Sequence, residues 1–345
     1  MSVPPEHPEP APLRLIAGMS RAGTTWVGKC FNEHPDTVCF GESLFWGRRF
    51  VEPASDGRYD QDHLDRIAAN MKRGNRAFLG DGPGCHAAVP VDSLPALVDT
   101  ALADLPARPT PLEVFDRLGR EYAARQGKRF YVEKTPHNIL WIDRIMRFNP
   151  QLRMVVLVRD PYEFMLSYKH QGDRKDPELR DLFHRLYHPI GCATVWRGYM
   201  RSSLTAASRF ASHTHMVLFD DLVRNPAEEM RRMQDFFELE PHAIESRVPP
   251  DNTSFPRADR PELAPEDVFW MNLIAGGVMK RMDAERRRAR IRPWRLLGSV
   301  CSLVPWAWRS YRQVSTTSSE PFWRYLTRWA IPDRNGSAAN ERAEA

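Results

Sequence analysis

The chain has 345 residues, 42% of them hydrophobic and 27% charged, with a formal net charge of +5 at pH 7. That apolar content supports a packed core and excludes a disordered chain, and the length fits one large domain with excursions. The positive balance suits an anionic ligand, but the basic residues are mostly scattered, and there is no zinc-finger spacing, no RNA-binding aromatic signature and no repeat period, which argues against a nucleic-acid reader.

Residues 1–12 are Pro-rich and read as a disordered lead-in, without the charged and apolar regions of a signal peptide. The five cysteines, Cys30, Cys39, Cys85, Cys192 and Cys301, form no CxxC pair and are odd in number, which points to reduced thiols and a cytoplasmic location. An apolar run over 13–17 predicts a strand buried in a parallel sheet. Gly18 and Gly23 then bracket a tight turn, and Thr24, Thr25 and Trp26 open a helix whose unpaired amides favour an anion. In a nucleoside triphosphatase loop, a lysine follows the second glycine and a hydroxyl holds magnesium. Thr24 stands at that lysine position, and the cation, Arg21, sits inside the loop. The pattern suits an anion held by amides, threonine hydroxyls and a guanidinium, without a metal.

His34, Pro35 and Asp36 end the helix, and 37–40 reads as a second strand with Glu42 just past its end. Carboxyl ends of parallel strands face the ligand crevice, so Glu42 is a candidate base. Residues 44–128 form a helical insertion, with helices predicted over 61–73, 91–105 and 111–126, expected to carry substrate contacts and a lid. A strand over 129–132 leads into Glu133-Lys134-Thr135-Pro136-His137-Asn138, where Thr135 can cap a helix starting at Pro136 and Lys134 falls on the crevice side. The apolar strand over 154–158 places Arg159 at its tip, with Asp160 as cap and Pro161 as first helical residue.

A long helix is expected over 191–212, with Trp196, Tyr199 and Leu204 as core, and a strand over 216–219 precedes Asp220 and Asp221, which are given structural roles. Asn225 and Pro226 start a helix with Glu228 at its third position and Met230, Met233, Phe236 and Phe237 inward. A loop over 247–263 and a closing helix over 265–283 follow. Residues 286–331 combine a basic cluster with an apolar aromatic stretch over 296–308, too short to span a bilayer and suited either to packing or to peripheral membrane contact. Residues 332–345 read as a disordered tail.

Four blocks carry a resemblance. Ser20-Arg21-Ala22-Gly23-Thr24-Thr25-Trp26 resembles the 5′-phosphosulfate loop of sulfotransferases that use 3′-phosphoadenosine 5′-phosphosulfate (PAPS). EKTPHN at 133–138 is similar to the EK[TS]P segment of the carbohydrate-type and bacterial branches. LRMVVLVRDPYEFMLS at 152–167 is similar to the family's 3′-phosphate site, and DDLVRNPAEEM at 220–230 also matches. The blocks occur in family order. The resemblance implies an α/β fold, a P-loop NTPase-like three-layer sandwich with a central parallel sheet flanked by helices, over 13–285. It implies PAPS as sulfuryl donor without a metal, bound by Ser20, Arg21, Ala22, Gly23, Thr24, Thr25 and Trp26 at the 5′ end and by Arg159 and Ser167 at the 3′-phosphate. Trp26 would border the adenine. In this reading, Arg21 stabilises the departing phosphate, Lys134 bridges the sulfuryl oxygens or orients the acceptor, and Glu42 is the base, with His137 as the alternative. The favoured acceptor is a carbohydrate or glycolipid hydroxyl, with a small alcohol or phenol still open. The RKGxxG form of the eukaryotic cytosolic branch is absent from 247–263, leaving Arg257 and Arg260 as open substitutes. A P-loop kinase with its lysine replaced and a non-catalytic nucleotide-binding module at a membrane are the other readings; oligomeric state stays open.

Overall fold

A computed structural model describes residues 12–72, 93–173, 175–244 and 260–317. Five parallel strands, β1 (Arg14–Gly18), β2 (Thr37–Phe40), β3 (Phe130–Lys134), β4 (Arg153–Val158) and β5 (Thr214–Leu218), form one sheet in the order β2-β3-β1-β4-β5. The central strands are nearly continuous apolar runs because helices cover both faces, and every residue of β1 is buried. This is a P-loop-like three-layer arrangement. The register pairs Ile16 with Lys134 and Gly18 with Leu157, so β1, β3 and β4 release their loops at one edge of the sheet.

The helices are α1 (Thr24–Glu33), α2 (Gln61–Lys72), α3 (Leu94–Ala103), α4 (Pro111–Arg125), α5 (Ile142–Phe148), α6 (Pro161–Lys169), α7 (Pro177–Leu186), α8 (Pro189–Arg209), α9 (Phe219–Arg224), α10 (Pro226–Phe236), α11 (Pro265–Arg281) and α12 (Pro293–Thr317), with a 3₁₀ turn over Pro136–Trp141. Local chemistry accounts for several starts. Thr110 forms a capping box with Glu113 ahead of Pro111 on α4. Asp160 accepts from the amides of Tyr162 and Glu163 at the head of α6. The helical insertion is not a separate lobe. Trp46, Tyr59, Phe115 and Tyr122 are fully buried in the same core as the sheet, and the Phe40 ring lies 5.3 Å from Tyr122.

Several local expectations shift. Strand β3 runs on through Glu133 and Lys134, and the Thr135 hydroxyl donates to the Glu133 carboxylate instead of capping the next turn. Asn225 makes no side-chain cap bond at α10. Strand β5 stops at Leu218, and Phe219, Asp220 and Asp221 form the first turn of α9. Helix α7 received no sequence signal. Arg257 and most of the 247–263 loop lie outside the described residues, as do the lead-in through residue 11, Cys85 and everything from 318 on. Arg260 is described, and its guanidinium pairs with Glu163. Of the other cysteines, Cys30, Cys39 and Cys192 are buried free thiols and Cys301 is exposed. Among the described residues, no helix is long and apolar enough to cross a membrane.

Candidate active site

The loop between β1 and α1 is held open from both ends. Gly18 has φ +112, and a Cβ there would sit 2.1 Å from the Leu157 carbonyl oxygen, so no side chain fits beside β4. Gly23 has φ +83 at the head of α1, and a Cβ there would meet the Phe219 ring at 2.9 Å. Between them Arg21 adopts φ 67, a left-handed conformation that costs a non-glycine residue on the order of 1 kcal/mol. Two contacts hold it there. Arg159 Nη1 donates to the Arg21 carbonyl at 2.7 Å, and Arg21 Nε donates to Ser167 Oγ at 3.2 Å. Strand tip β4 and helix α6 thus set the shape of a loop that follows β1. Arg159 is itself fixed, because Trp196 Nε1 on α8 donates to its carbonyl at 2.9 Å and its guanidinium covers the Phe219 ring at 4.5 Å.

Burial lowers the pKa of Arg21, and burial, with Arg21 nearby, brings Arg159 down to about 10, while Glu163 pulls it back up. Both stay cationic at neutral pH. Arg159 Nε is buried with no hydrogen-bond partner among the described residues. Two desolvated cations, one with an unused donor, stand before the free amides of a helix N-terminus, an arrangement complementary to a phosphate-like anion. Ala22 and Thr24 are buried, and Ser20, Arg21, Gly23 and Thr25 are partly exposed along the loop. Trp26 faces inward at 3% exposure and belongs to the core, so its indole packs beneath the loop.

The second half of the site grows from β3. Lys134 Nζ, fully buried, donates to Glu42 Oε1 at 2.9 Å, and Glu42 keeps 28% of its side chain exposed. Burial alone would raise the Glu42 carboxyl, but Lys134 and then His137 and Arg48 outweigh it and hold it below its ordinary value. His137 is pushed down to about 4 by burial, reinforced by Arg48 and Lys134, so its ring is neutral at pH 7. The two halves meet on Tyr199 of α8. Its hydroxyl is 3.0 Å from Ser20 Oγ, and its ring centroid lies 5.8 Å from that of His137. The residues expected from sequence therefore form two connected groups: Ser20, Arg21, Arg159 and Ser167 around the loop, and Glu42, Lys134 and His137 beside it.

Sequence reasoning assigned Tyr199 only to the core and passed over Glu133. Glu133 is completely buried and accepts from Ser43 N at 3.2 Å, Ser43 Oγ at 2.9 Å, the Thr135 hydroxyl, and Asn138 Nδ2 at 2.8 Å. It ties the chain just after Glu42 to the turn that carries His137. The signal was a carboxylate closing an apolar strand with Thr and Asn two and five residues on.

Residues 12–243 match the sulfotransferase family. Nodulation protein NoeE of Sinorhizobium fredii (strain NBRC 101917 / NGR234) is 26% identical over 241 residues, covering 65% of this chain and 50% of its own, so the chain spans about half the length of that curated relative. Among solved structures, the chain is similar to the sulfotransferase domain of the Synechococcus PCC 7002 olefin synthase, with a TM-score of 0.48 and 17% identity over 81% of this chain and 98% of that one. It is also similar to a sulfotransferase from Alicyclobacillus acidocaldarius, with a TM-score of 0.40 and 14% identity over 79% and 96%. With the match extending across the whole sheet and both halves of the site, the chain belongs to the sulfotransferase family.

Proposed function

We propose that the protein transfers a sulfuryl group from PAPS to an acceptor hydroxyl, with a carbohydrate or glycolipid hydroxyl as the favoured acceptor. The observation that carries this reading is the loop held by cations and without the P-loop lysine: Arg159 grips the Arg21 carbonyl, and Arg21 reaches Ser167. The residues fit a nucleotide with two separate phosphate groups. The loop amides with Arg21 would receive the 5′ end, and Arg159 with Ser167 the 3′-phosphate. Resemblance of 133–138 to the carbohydrate-type branch supports the acceptor class.

The donor supplies an electrophilic sulfur on a phosphate leaving group. The chain supplies position and charge, which dominate such transfers. Glu42, ionised and partly exposed, takes the proton of the acceptor hydroxyl as its oxygen bonds to sulfur and the sulfur–phosphate oxygen bond breaks. Lys134, fixed on Glu42, presents positive charge beside the reacting centre. Arg21 and the amides at the head of α1 offset the negative charge gathering on the leaving phosphate.

Calorimetric titration with 3′-phosphoadenosine 5′-phosphate, compared with ATP–magnesium and repeated on Arg159→Ala, tests the reading. The bisphosphate should bind without metal and lose about 10- to 100-fold in affinity in the variant, the value of charge-assisted hydrogen bonds to phosphate. Preference for ATP–magnesium would sink the proposal in favour of a kinase-like enzyme. Release of the bisphosphate from PAPS, assayed across sugar, glycolipid and phenol acceptors, then ranks the acceptor class.

A further inference from the structure

Helix α12 is seated on the catalytic domain by one face only. Trp306 Nε1 donates to the Leu186 carbonyl at 2.8 Å, and its ring fills the space beside Gly191, where a Cβ would come within 2.4 Å. His188 Nε2 lies 3.0 Å from the Ser299 carbonyl and 3.1 Å from Ser302 Oγ, and Arg295 pairs with Glu266 of α11 at 3.4 Å. These anchors recur every three to four residues and define the inner face. The opposite face repeats at the same spacing through Trp294, Leu297, Cys301, Val304, Trp308 and Tyr311, all exposed, with Val304 at 74% and Trp294 at 65%. A continuous apolar stripe on a docked helix marks a binding surface.

Charge selects the occupant. Residues 286–312 carry eight arginines and no acidic residue; Arg286, Arg287 and Arg295 bind back to the domain through the Gly276 carbonyl, Glu163 and Glu266, while Arg288, Arg290, Arg292 and Arg309 are exposed. Pairing with a second copy would set those like charges against each other, and the helix lacks the alternating acids and bases of a self-associating seam. Tryptophan and tyrosine flanked by arginine match the boundary between anionic headgroups and acyl chains. We infer that the outer face of α12 docks the protein on an anionic lipid bilayer, with the stripe entering the headgroup boundary and the exposed arginines over the phosphates. Gly191, against which α12 rests, is eight residues from Tyr199 on α8, about 12 Å along the helix axis.

Flotation of the full chain with vesicles of phosphatidylcholine alone or with about one third phosphatidylglycerol tests this. The protein should float with the anionic vesicles only, and release as salt rises from about 0.1 to about 0.5 M. Val304→Asp, at an exposed position, should weaken binding at least about tenfold with an unchanged unfolding midpoint, and Trp294→Ala should weaken it less. No flotation, or flotation untouched by Val304→Asp, overturns the inference. So does light scattering that shows a dimer split by the same substitution, which would make a second copy the occupant.

Discussion

Glu133→Gln probes the buried carboxylate that ties Glu42's loop to His137's turn. Burial raises this carboxyl from its ordinary 4.5 to about 7, against the pull of the hydrogen bonds from Thr135 and Ser43. The folded chain therefore holds a proton there at pH values where the unfolded chain has released it, so stability falls as pH climbs from 4.5 to about 7 and gains no further slope above. Across that window the loss is about 3 kcal/mol. Glutamine removes the titration while keeping the bonds. Its oxygen replaces Oε1 for Ser43 and Thr135, and its amide replaces Oε2 and can donate to Asn138 Oδ1, which is buried without a partner among the described residues, once the Asn138 amide turns over. Urea unfolding followed by circular dichroism between pH 4.5 and 8 should show the variant gaining about 3 kcal/mol on the native protein toward the alkaline end. Glu133→Ala should instead lose at least about 3 kcal/mol at every pH, because several donors are left buried and unpaired. Parallel curves for the native protein and Glu133→Gln would refute the argument that burial moves this carboxyl.

The other predictions concern the loop and the base. Gly18→Ala forces a Cβ into the Leu157 carbonyl at positive φ and should cost more than about 3 kcal/mol in urea unfolding; a loss below about 1 kcal/mol would mean the β1–β4 contact is loose. Glu42→Gln should lower kcat by about 10²- to 10⁴-fold with bisphosphate affinity unchanged, whereas near-normal turnover would pass the role of base to His137. Lys134→Met removes the cation that holds Glu42 below its ordinary value, so the acid limb of the kcat/KM profile should move to higher pH. An unmoved limb would assign that limb to another group.

Legibility followed how local the cause was. The strands over 13–17, 37–40 and 154–158 and the helices over 61–73 and 111–126 could be read because buried strands are short apolar runs and these helices keep a helical spacing of apolar residues between Gly and Pro clusters. The Thr135 cap failed because the sheet buries Glu133, two residues earlier, and that carboxylate takes the hydroxyl.

The amino-acid sequence alone determined the loop chemistry: two glycines at fixed spacing, Thr24 where a lysine would stand, and arginine and glutamate at the ends of strands that must be buried. Those are properties of residue type and short spacing, and they survive without knowing the fold. Only the tertiary structure decided which side chains meet. Arg159 holds the Arg21 carbonyl across 138 residues, Lys134 reaches Glu42 across 92, and Tyr199 links the loop to His137 from a helix that follows both. The parallel order β2-β3-β1-β4-β5 brings those distant ends to one edge, and no local pattern encodes that neighbourhood.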